Sequence, residues 1–182
     1  MAQLRMIKSS MADIPEANIG NGFELRLIRA GEQDKWERLC GKAFEGEFSF
    51  ETVIAGKAGY TEDGVFVVTC EDGSKFVATG TALLTREQPE GYGYVHMIAA
   101  DPDYSGRKLG YEVTAAVLRR LRDAGFEKAE LETDDFRLPA IKTYLDLGFT
   151  PDLSRDETMP GRWDNIYKAL ADGGKANGEK RS

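Results

Sequence analysis

Histidine occurs once in the 182 residues, at His96, which excludes every metal motif that needs two. Cysteine occurs twice, at Cys40 and Cys70, far apart and with no CxxC. No disulfide framework follows from that spacing, and a reducing, cytoplasmic location is the expectation. No GxSxG elbow is present, which counts against serine-hydrolase chemistry. No apolar run approaches the roughly eighteen residues of a membrane span, and the opening MAQLRMIKSSMADIPEANIGNG lacks the apolar centre of a signal peptide. Basic residues are outnumbered 24 to 31, and the net charge of −7 argues against nonspecific nucleic-acid binding. Neither a membrane nor a nucleic acid is therefore an expected partner. An acidic surface serves solubility first and would also tolerate a cationic substrate.

The length suits one domain with a core of its own. Residues 1–22 read as a flexible N-terminal arm, residues 23–171 as the domain, and residues 172–182 as a polar tail. Phe23 to Ile28 alternates apolar and polar, the pattern of a half-buried strand. A helix follows from Gln33, with Trp36, Leu39, Cys40 and Ala43 at helical spacing, and then a long aromatic connection holding a short helix. The runs Gly64–Cys70 and Lys75–Leu84 flank Glu71-Asp72-Gly73-Ser74, a hairpin signal. A further connection, Thr85 to Gly91, leads into a strand ending at Ala100. Beyond it the order becomes helix (Gly110–Ala124), strand (Lys128–Thr133), helix (Ile141, Tyr144, Leu145), and a last amphipathic stretch with Trp163, Ile166, Tyr167 and Leu170. This order predicts an α/β (α+β) fold with a mixed sheet: antiparallel strands first, then a parallel strand joined by a crossover helix. The final helix has its own core or a second subunit, as in a homodimer, as its packing partner.

The loop Ser105-Gly106-Arg107-Lys108-Leu109-Gly110 stands between the strand ending at Ala100 and the long helix. A helix N-terminus carries unpaired amides and partial positive charge, the glycines admit close approach, and the two cations suit phosphate. The loop is neither GxxxxGK[ST] nor GxGxxG. In the plainer reading, Ser105 caps a helix whose first turn is basic.

The stretch Ile98-Ala99-Ala100-Asp101-Pro102, this loop and the following helix together resemble the Gcn5-related N-acetyltransferase (GNAT) superfamily. There an apolar strand is followed by proline, a Q/R-x-x-G-x-G/A loop and a long helix. Ser105 stands where Gln or Arg is usual, and Lys108 where the first motif glycine is usual. Ala140 to Phe149 resembles the family's A-x-x-x-Y-x-x-x-G-F pattern, although Asp134 to Arg137 lacks the asparagine common before that helix. The resemblance covers roughly residues 23 to 170.

It implies an acyl-CoA N-acyltransferase fold and transfer of an acetyl group from acetyl-CoA to an amine, on a small molecule in the first instance, with no metal. The co-substrate's pyrophosphate would be held by Ser105, Gly106, Arg107, Lys108, Leu109 and Gly110. Lys108 serves through its own amide as long as the turn needs no positive φ there. Ile98, Ala99 and Ala100 would pair with the pantetheine arm. Tyr144 is implied as the acid that protonates the leaving thiolate; otherwise it packs between helix and sheet. The strand from Tyr94 to Met97 carries no glutamate, which leaves His96 as the side chain there that titrates near neutral pH. Alternation puts Tyr94, His96 and Ile98 on one face and Val95, Met97 and Ala99 on the other. His96 is then either a base or a histidine packed under the first helix, and water is an alternative base. Phe44, Glu45, Phe48 and Glu132 are candidates for the acceptor's wall, aromatic and acidic as an organic cation requires. The alternative for Phe44 and Phe48 is core packing with the acids solvated. A non-catalytic acyl-CoA-binding or regulatory domain, or a plain interaction domain, stands as the rival reading.

Overall fold

The two β-rich runs either side of Asp72-Gly73 fold onto each other in the computed structural model of the chain, which describes residues 2–70, 72–85 and 91–178. Asp72 and Gly73 both take positive φ, 55° and 85°, as a tight hairpin turn demands. The hairpin strands are β3 (Val65–Cys70) and β4 (Lys75–Leu83), and β2 (Glu24–Leu27) pairs antiparallel with β3. Part of the connection after Thr85, residues 86–90, and Glu71 of the hairpin loop lie outside the described residues. β5 (Gly93–Ala100) is antiparallel to β4. The chain then crosses over through α2 (Leu109–Asp123) and enters β6 (Ala129–Thr133), which runs parallel to β5 at Gly93↔Ala129 and Tyr94↔Glu130. The mixed α/β architecture is the one the order of elements predicts.

Two compact bodies divide the chain: Ser9–Glu130, and residues 2–8 with 131–178. In the first, the strand order is β2-β3-β4-β5-β6. β3 and β4 read as nearly continuous apolar runs because both their faces are covered. Val67 and Phe76 join Trp36, Leu39 and Cys40 of α1 (Gln33–Phe44), whereas the adjacent Val68 and Val77 join Leu109 and Val113 of α2. On α2, Val113, Val117, Leu118 and Leu121 are all fully buried. Each such side chain contributes about 1.5–3 kcal/mol by leaving water, so this face, and not helix propensity, holds α2 down.

The flexible arm expected over residues 1–22 is not what forms. Leu4–Lys8 is a strand, β1, with Leu4 and Met6 fully buried. In the Ser9–Glu130 body, Met11 and Ile14 are buried, the Arg119 guanidinium donates to the Pro15 carbonyl, and the Asn18 amide donates to Glu112 Oε2 at 2.8 Å. Apolar residues spaced between polar ones drive this segment onto the fold, although no strong local period announces it. In the second body the order is β6-β1-β7, with β7 (Thr150–Pro151) antiparallel to β1. α3 (Leu138–Asp146) and α4 (Met159–Gly178) complete it. Met159, Trp163 and Ile166 of α4 are buried while Tyr167 is exposed, and the helix continues past the expected start of the polar tail at residue 172.

Candidate active site

β5 carries an irregularity against β4. Thr79 pairs with Ala99 and Thr81 with His96, so Met97 and Ile98 face the single Gly80: a β-bulge. Met97 is driven to φ 51°, a rare conformation for a residue with a β-carbon. Gly80 is needed opposite, since a β-carbon there would stand 2.5 Å from Ile98 Cδ1. The bulge overturns the expected alternation. Ile98 still turns to Val113 and the α2 side and Met97 and Ala99 to the Trp36 cluster under α1, but His96 bonds Val53 on that same α1 side, so it shares a face with Met97 and not with Ile98. A glycine inside the β4 run was the one local hint of this; nothing in the residue types of β5 marks Met97.

At the end of β5, Asp101 stops the strand and Pro102–Tyr104 forms a 3-10 turn. The Asp101 side chain is 2% exposed. Its Oδ1 accepts from the Asp103 amide at 3.0 Å and from Lys42 Nζ at 2.7 Å, and its Oδ2 meets Lys75 Nζ at 3.3 Å. Burial pushes this carboxyl's pKa up, but Lys42, the Asp103 amide and Lys75 together bring it below the ordinary range.

The loop follows. Ser105 does not cap α2: its amide donates to Pro102 O, and the N-cap position belongs to Lys108, with no side-chain cap. Gly106 takes φ 80° and Lys108 takes φ 59°, so the turn does require left-handed backbone at the lysine. Among the described residues, the amides from Gly106 to Tyr111 donate to no backbone carbonyl. Nothing lies within 4 Å of a β-carbon built at Gly106 or Gly110, so that face is open. Leu109 is buried as the loop's anchor, and Arg107 lies over the rings of Phe23 and Tyr104, 5.6 and 5.9 Å from their centroids. Open amides at a helix mouth beside two cations fit a pyrophosphate.

His96 sits on the α1 side of β5 with Nε2 3.1 Å from the Val53 carbonyl, in the connection after α1. A carbonyl partner assigns the proton to Nε2 and leaves Nδ1 as an acceptor. Burial lowers the pKa from 6.5, the Val53 bond opposes this in part, and the charge of Lys57 adds to the lowering. The ring is therefore neutral at neutral pH, and the Tyr94 ring lies 5.8 Å away.

Among the acceptor candidates, Phe44 and Phe48 are half-buried against the Trp36 cluster, 5.5 Å apart, with Val53 and Met97 beside them in that cluster. Glu45 is exposed with φ 55° and closes α1. Glu132 is not a free carboxylate, because Arg155 Nη1 meets its Oε1 at 2.5 Å. In the second body, Tyr144 of α3 is 5% exposed and lies 6.0 Å from Phe149, edge to face. Among the described residues no cluster of His, Cys, Asp and Glu has the makings of a metal site, and no helix is long and apolar enough to cross a membrane.

Comparison with known proteins adds to this geometry. Residues 32–149 match the family model described as "Acetyltransferase (GNAT) family". A mycothiol acetyltransferase from Sanguibacter keddieii is 31% identical over 153 residues, 78% of this chain and 48% of its own length. Another, from Nocardiopsis dassonvillei, is 35% identical over 146 residues, 72% of this chain and 43% of its own. The chain thus spans about half the length of these relatives. The solved GCN5-related N-acetyltransferase of Sphaerobacter thermophilus superposes with a TM-score of 0.64 at 16% identity, over 83% of this chain and 50% of that one.

Proposed function

The chain belongs to the GNAT family of acetyltransferases, and from that premise we propose that it transfers an acetyl group from acetyl-CoA to an amine on a small molecule. The observation that carries the reading is the row of unpaired amides from Gly106 to Tyr111 at the mouth of α2. Those amides, with Lys108 and Arg107, bind the pyrophosphate; the backbone of Ile98, Ala99 and Ala100, past the last β5–β6 pair, takes the pantetheine arm. Acetyl-CoA supplies the activated acyl group. The acceptor is deprotonated before attack, its nitrogen bonds to the carbonyl carbon, and the C–S bond breaks. His96 takes the amine's proton at Nδ1, and Tyr144 gives its own to the thiolate. A histidine kept neutral by burial is already in the form a base needs. A small acceptor is in keeping with relatives named for mycothiol. The half-buried Phe44 and Phe48 line the acceptor's side, with Glu45 at its rim. Two free, buried cysteines suit a reducing, cytoplasmic setting.

Titrating acetyl-CoA into the protein by calorimetry tests this first. A micromolar Kd, about −7 to −8 kcal/mol, is expected, followed by turnover with small amines. No heat up to millimolar acetyl-CoA refutes it. The left-handed Lys108 favours a second reading, an acyl-CoA-binding domain without turnover. Binding with no acetylation of any amine tried would select that one.

A further inference from the structure

The carboxylate of Asp101 is the most heavily used polar group beside the loop, and nothing in the acyl transfer calls for it. It stands at the first residue past β5, buried, and takes hydrogen bonds or ion pairs from three places: Lys42 in the last turn of α1, Lys75 at the start of β4, and the Asp103 amide of the turn leading into the loop. Lys42 also reaches Asp103 Oδ2 at 2.5 Å. Lys75 Nζ lies 4.7 Å from the centroid of the Tyr104 ring and 3.5 Å from its hydroxyl. Arg107 of the loop lies 5.9 Å from the centroid of the same ring. A continuous set of contacts therefore runs from α1 through Lys42, Asp101 and Tyr104 to the pyrophosphate loop. The same α1 ends at Phe44 and Glu45, on the acceptor side of β5.

We infer that Asp101 and Lys42 are positioning residues that lock the 102–104 turn to the end of α1, so that filling the loop and setting α1 against the acceptor are one coupled event. The inference rests on the acetyl-CoA site proposed above. Geometry gives it direction. Asp101 fixes the turn through the Asp103 amide, and Lys42 is the cation that ties this carboxylate to a helix. Lys75 ties the carboxylate to β4 and to Tyr104 and, among the described residues, meets nothing in α1, so its loss leaves the tie through Lys42 in place.

The test compares the parent chain with Lys42→Met, Lys42→Arg and Lys75→Met by calorimetry and amide hydrogen exchange. Lys42→Met is expected to raise the Kd for acetyl-CoA about tenfold and to change KM far more than kcat. Lys42→Arg should recover most of that loss. In the ligand-free chain, Lys42→Met should speed exchange of the Asp103 and Tyr104 amides by about tenfold. Acetyl-CoA should slow exchange in the last turn of α1 in the parent and in Lys75→Met, but not in Lys42→Met. Parent-like affinity and parent-like exchange in Lys42→Met overturn the inference. If the parent itself fails to bind acetyl-CoA, the proposed function falls, and unchanged ligand-free exchange at 103–104 would still refute the clamp on its own.

Discussion

Lys108 holds a left-handed backbone, φ 59°, within the Ser105–Gly110 loop, and its β-carbon makes that conformation costly. Lys108→Gly is therefore expected to stabilise the chain by about 0.5–1 kcal/mol, the strain relieved less the freedom glycine gains when unfolded. A urea midpoint shifted upward with the same slope is the readout; a downward shift would mean that the lysine side chain outweighs its backbone. At His96 the sign runs the other way from that of a salt-bridged histidine. Its folded pKa lies below 6.5, so protons bind the unfolded chain first and stability is lost as pH falls from 6.5 through the folded value. With His96 as the proposed base, the acid limb of kcat/KM is expected below pH 6.5. His96→Gln should lower kcat/KM about 100-fold at neutral pH and remove that limb; a loss under about threefold would give the proton to water instead. Tyr144→Phe should cut kcat by a similar factor, about 100-fold, with little change in KM.

Among the elements, the β4–β5 pair decides the most. The bulge at Met97-Ile98 puts His96 on the α1 side with Met97, and Gly80 makes room for it. Gly80→Ala would drive a β-carbon against Ile98 Cδ1 and Val117 Cγ2, at 2.5 and 3.1 Å, and is expected to destabilise the fold by about 1–3 kcal/mol. Thermal unfolding checks it, and an unchanged midpoint would show that the bulge relaxes freely. α2 was legible residue by residue, since Val113, Val117 and Leu121 recur at helical spacing and all are buried. β1 was not, because Leu4-Arg5-Met6-Ile7-Lys8 sits in a polar stretch and buries even Lys8, whose Nζ donates to the Leu147 carbonyl at 2.9 Å.

For the molecule as a whole, an acidic balance does not mean acid tolerance. Glu32 is held down to about 2, first by its hydrogen bonds to the Arg26 guanidinium and further by the Arg29 amide and Lys35. Asp63, Asp101, Asp135, Asp152 and Asp156 are also lowered. The contribution of Glu32 is fully present above pH 4.5 and is lost as pH falls from there toward 2, because the unfolded chain takes up the proton first. Denaturation by urea between pH 6 and 3 should show stability falling on the acid side, and Glu32→Gln should flatten the part of that fall below pH 4.5. A slope unaltered by Glu32→Gln would remove Glu32 from the account.

Local pattern alone determined the order of elements from β2 to α3, the hairpin at Asp72-Gly73, the buried faces of α1 and α2, and the place of the Ser105–Gly110 loop. Each of these follows from the period of apolar residues or from turn chemistry within a few neighbours. Tertiary structure alone decided the bulge, the left-handed Lys108, the tie of His96 to Val53, the pairing of Glu132 with Arg155 and the clamp on Asp101. Apart from the turn at Lys108, each of these joins residues distant in the chain or follows from the register between strands. Neither is encoded in any short window, because strand register and long-range ion pairs are settled by which faces must be buried together.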